Sequence, residues 1–74
     1  MTKSVNDLRA IASSGGGMVL NASKFSVNDL RAIASSASGS GARITLRSIE
    51  SISTNDLRAI ASSGGGCVVF DFLS

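Results

Sequence analysis

The groups that could do chemistry in this chain are many serines, five Asp and Glu, seven Lys and Arg and a single thiol, Cys67. A serine nucleophile needs an adjacent base held by a third group. With no histidine in the sequence, the only base on offer is Lys3 or Lys24, and both fall in exposed-looking connecting segments. Asp7, Asp29 and Asp56 could be imagined as an acid-base pair or a Mg2+ site, but they recur at one position of a repeat, where an acidic residue suits the positive first turn of a helix. Cys67 has no second cysteine to bridge to and no histidine with which to complete a zinc site. No Lys, Arg or His lies beside it in sequence to favour a reactive thiolate, so it reads as a small apolar residue. The expectation is no catalytic residue, no metal, no cofactor, no small-molecule substrate and no enzyme.

Two further features invite a ligand reading. Gly15 to Gly17 and Gly64 to Gly66 look like phosphate loops, but such glycines follow a strand and open a helix, whereas here they follow a helix and lead into a strand. They read as helix caps and turns. Arg9, Arg31 and Arg58 occupy one repeat position each, so stacking would set them in a row about 10 Å apart, with Arg47 and Arg43 adding cations from the middle strand. Such a row can follow a phosphate backbone or form a ladder with Asp7, Asp29 and Asp56 between neighbouring helices. Without interleaved aromatic platforms, and at a net charge of only +2, weak nucleic-acid binding is the third-ranked reading.

What must position all of these groups is a nonapeptide, Asn-Asp-Leu-Arg-Ala-Ile-Ala-Ser-Ser, which begins unchanged at Asn6, Asn28 and Asn55. It divides residues 1–74 into one domain of three tandem units, Ser4–Phe25, Ser26–Ile52 and Ser53–Ser74. In each unit a serine N-cap (Ser4, Ser26, Ser53) precedes an aspartate three positions on, close to a capping box. Val5, Leu8, Ile11 and Ala12 then mark one side of a helix of about ten residues. A short strand follows, at Met18 to Ala22, Arg43 to Ser48 and Cys67 to Phe72. Phe25 and Ile52, just ahead of the next N-cap, are placed like staple residues. Strands separated by such helices should pair in parallel through right-handed crossovers with the helices on one face. The fold class expected is therefore α/β, a small parallel-sheet solenoid of helix-turn-strand repeats. The middle unit carries about four extra residues, within Ala37 to Ala42, read as a flexible Gly/Ser bulge between helix and strand.

This layout resembles that of leucine-rich-repeat proteins, with Leu20 and Leu46 standing where that family has inward strand leucines. The asparagine that family places at a fixed spacing is missing. The resemblance is one of layout, and it implies only that partners bind along a sheet surface.

A chain of 74 residues buries only about 60% of its unfolded surface and needs help to be stable. Disulfides and metals being excluded by composition, association is what remains. If Met18/Leu20, Ile44/Leu46 and Cys67/Val69 face the helices, then Val19, Val68, Phe70 and Phe72 line an uncovered, apolar outer face. Near-identical end units without distinct polar caps leave edge strands open as well. The function expected is self-association, as a homo-oligomer or filament; the alternative is an adaptor or inhibitor that covers the same face with a heterologous protein. The opening segment has no apolar h-region and the chain has no membrane-length apolar run, which sets a cytoplasmic location as the expectation.

Overall fold

The structure is a computed structural model, and it describes residues 4–73; Lys3 and Ser74 therefore lie outside the described residues. Three helices form, α1 (Val5–Ser13), α2 (Val27–Ser40) and α3 (Thr54–Gly64). Each begins where a serine hydroxyl can take an otherwise orphaned backbone donor. The N–H groups of Asp7, Asp29 and Asp56 donate to Ser4, Ser26 and Ser53 Oγ, each at 3.2 Å. A cap of this kind contributes about 1 kcal/mol to its helix.

Between the helices run strands β1 (Met18–Asn21), β2 (Ile44–Arg47) and β3 (Val68–Phe70), which pair in parallel in the order β1-β2-β3. Met18, Ile44 and Val68 share one register row, and Leu20, Leu46 and Phe70 another. These rows sit under the helices: Leu20, Ile44 and Leu46 are buried, and Val68 and Phe70 pack against the same core. Val19, Thr45 and Val69 form the alternate row, in which Val19 is 64% and Val69 36% exposed. The sheet thus has one face closed by helices and one face open. Leu8, Leu30, Ile33 and Ile60 supply the helical side of the core. Phe25 and Ile52 pack against that core from the segments leading into α2 and α3.

Two expectations are corrected. Ala37 to Ser40 is no flexible bulge; it is the last turn of α2, which ends at Gly41 in the left-handed conformation (φ 79°). Ala37 is fully buried, and the Ser40 hydroxyl donates to Ala12 O of α1, a second donor to a carbonyl that Gly15 N–H already reaches at 3.0 Å. Burial of Ala37 and this cross-helix bond override the poor helix propensity of Ser and Gly. The second correction is one of register. Repeat alignment sets Cys67 opposite Met18, but α3 runs on to Gly64 where α1 stops at Ser13, and β3 starts one residue later, at Val68. A shift of one residue exchanges the faces of a strand. Val68 and Phe70 therefore turn toward the helices, and Val69 takes the outer face.

Gly39 sits inside α2 with a helical backbone and open space where a Cβ would go. Gly39→Ala is expected to raise stability by up to about 1 kcal/mol, because alanine loses less chain entropy in a helix. Urea unfolding would read this as a higher midpoint with an unchanged slope.

Candidate functional site

The open face of the sheet is the surface on which the chain could meet something else. Its first row is Val19, Thr45 and Val69; its second begins with Asn21 opposite Arg47. Arg47 Nε lies 3.4 Å from Asp71 Oδ2, and Asp71 is fixed by donating its N–H to Leu46 O at 2.9 Å. Arg47 is half exposed, so this pair is worth no more than about 1 kcal/mol. Asn21 Oδ1 accepts from the N–H and hydroxyl of Ser23, closing a short 3-10 turn at Ala22–Lys24. A shallow, open depression lies between the ends of β1 and β2, lined by Val19, Leu20, Asn21, Arg47 and Ser48. The face is mixed in character, with two valines among polar neighbours.

Of the residues expected to make an apolar contact surface, Val19 lies on the open face, while Val68 and Phe70 belong to the helix-facing side. Phe72 follows β3 and is 72% exposed. Its ring centroid is 6.2 Å from that of Phe70 at a tilt of 46°, within the range of favourable aromatic pairs. The two phenylalanines form a step from the core margin out to solvent. The open face has less apolar area than the repeat alignment implied; Phe72, beyond the end of β3, is the one exposed aromatic side chain among the described residues.

Arg9, Arg31 and Arg58 are exposed on α1, α2 and α3. The ladder with Asp7, Asp29 and Asp56 does not form: among the described residues the ion pair within 4.0 Å is Arg47 with Asp71. The helix arginines stand on the layer that covers one sheet face, whereas Arg47, in the row of Asn21, projects from the other; Arg43 precedes β2. These cations do not merge into one stripe along which a phosphate backbone could run.

No group of three or more His, Cys, Asp or Glu is poised to hold a metal ion among the described residues, and none of their buried side-chain polar atoms is left without a partner. Cys67 is half-buried against the core margin. No helix among the described residues is long and apolar enough to cross a membrane. At the two uncapped ends expected from the near-identical end units, the helical layer leaves Ile11 of α1 and Leu57 of α3 incompletely covered. No family model, no curated protein and no solved structure matches this chain.

Proposed function

We propose that this chain is a non-enzymatic structural protein, a three-unit α/β solenoid that associates with further copies of itself. The observation that carries this reading is the half-finished parallel sheet. Parallel sheets are almost always covered on both faces, yet here Val19, Val69, Thr45 and Arg47 lie on a face that no second layer among the described residues covers. Both outer strands are edges as well, because β2 pairs with β1 on one side and β3 on the other. A free edge presents a row of unpaired N–H and C=O groups that a further strand can satisfy. A core of mostly one-layer depth in so short a chain gives a further reason for association.

Light scattering across a concentration series tests the reading directly. The expected result is a mass that rises with concentration in multiples of the 7.5 kDa chain. A 7.5 kDa particle at every concentration would eliminate it, and a monomer that binds one heterologous protein would replace self-association with the adaptor function.

A further inference from the structure

The nonapeptide acts as a probe placed three times in different surroundings. In α2, which packs between α1 and α3, Leu30, Ile33 and Ala34 are all buried. In α1 the equivalent Leu8 and Ala12 are buried, but Ile11 is 42% exposed. In α3 the pattern reverses: Ile60 is fully buried, while Leu57 and Ala61 are half-buried. The isoleucine therefore faces the preceding helix, and the leucine and alanine face the following one. Two local contacts fix that direction. A methyl group built on Gly64 of α3 would stand 3.4 Å from Ala34 Cβ, and Ala12 O of α1 accepts from Ser40 of α2.

Each end of the helical layer thus shows one half of a contact that the chain makes twice internally. Taking self-association as the reading on which this rests, we infer that copies join head to tail: α1 and β1 of one copy dock on α3 and β3 of the next. The contact repeats in trans what α2 does to α1 and what α3 does to α2. Ile11 of the incoming copy fills the place beside Leu57 and Ala61 that Ile33 fills beside Leu8 and Ala12. The strands continue in the same register, with Met18 of the incoming copy beside Val68 and its Leu20 beside Phe70, extending the rows Met18-Ile44-Val68 and Leu20-Leu46-Phe70. On the open face its Asn21 comes beside Asp71, an amide donor next to a carboxylate acceptor. Phe70, at the margin of the core in one copy, becomes interior. The two surfaces differ, so the contact is heterologous and generates a ring or an open filament rather than a closed two-fold dimer.

Blocking one end at a time tests this. Ile11→Glu spoils the head and keeps the tail; Ala61→Glu spoils the tail and keeps the head. Each variant alone is expected to remain at 7.5 kDa by light scattering at concentrations where the unaltered chain associates. An equimolar mixture should give a particle of twice the chain mass and nothing larger, because one good head meets one good tail. Circular dichroism checks that the helices persist, and Ala61→Gln replaces Ala61→Glu should the latter unfold. Association of either single variant at the level of the unaltered chain, or a mixture that stays monomeric, overturns the head-to-tail contact. An unaltered chain that is monomeric at every concentration instead removes the self-association reading itself.

Discussion

Truncation of the repeated isoleucine to alanine is expected to cost about 2–5 kcal/mol at Ile33 or Ile60 and less than about 1 kcal/mol at Ile11. The three residues occur in an identical nonapeptide, so local propensity and unfolded-state effects are matched and the difference isolates burial. Ile33 and Ile60 are 0% exposed, and removing their outer carbons leaves a cavity between sheet and neighbouring helix; Ile11, at 42% exposed, leaves water-filled space. For a chain of 74 residues the total stability is on the order of 4–11 kcal/mol. Either interior truncation therefore takes a large fraction of it, corresponding to a fall in Tm of roughly 10 °C or more. Urea unfolding of the three variants in dilute solution, where copies are apart, is the measurement. Equal losses at the three positions would contradict the arrangement of α1 at an open end of the layer. If copies then dock through α1, the Ile11→Ala variant should also show a weaker rise of Tm with protein concentration than the unaltered chain, since binding stabilises the folded state by mass action.

The features legible in the sequence are those that depend on a few residues close together in the chain. Ser-x-x-Asp placed all three helix starts, because a hydroxyl acceptor and a backbone donor three residues away need nothing distant to find each other. The parallel order of the strands followed from the helices between them. What was not legible depends on neighbours. The string Ser-Ser-Gly-Gly-Gly is the same at the ends of α1 and α3, yet Gly15 adopts φ 93° outside the first helix while Gly64 is helical and buried, with the left-handed turn passed on to Gly65 and Gly66. The difference lies in what stands alongside: α3 leans on the long last turn of α2, where Ser38 lies close to Gly65. One signal for the true register of β3 was present in the chain. Asp71 belongs with the polar Asn21 and Arg47 on the outer face, and alternation from Asp71 turns Val69 outward and Val68 and Phe70 inward. The open face of the candidate site inherits that error in full, which is why two of its four expected apolar residues belong to the core side.

Gly64→Ala is expected to lower stability by about 1–3 kcal/mol, the opposite sign to Gly39→Ala, although both glycines are helical and alanine is the better helix former. A methyl group at Gly64 would run into Cγ2 of Val68 and press on Ala34 Cβ at 3.4 Å. Valine is branched at Cβ and stiff about χ1, so its methyl cannot simply swing aside. Val68 is also held as the first residue of β3, paired with Ile44, and moving it disturbs the strand that Cys67 O anchors by accepting from Ile44 N at 2.8 Å. The middle unit shows the alternative solution: Ala37 stands at the equivalent position, and the extra turn to Ser40 carries the chain away before Ile44 begins β2. Combining Gly64→Ala with Val68→Ala should recover part of the loss, with a coupling of about 1 kcal/mol in a double-mutant cycle. A neutral or stabilising Gly64→Ala would mean that α3 stops short of Gly64, as α1 stops short of Gly15. The register of β3 would then be the one repeat alignment gives, and Val68 and Phe70 would return to the open face. The sign of this one substitution therefore decides which side chains the last unit offers to another copy.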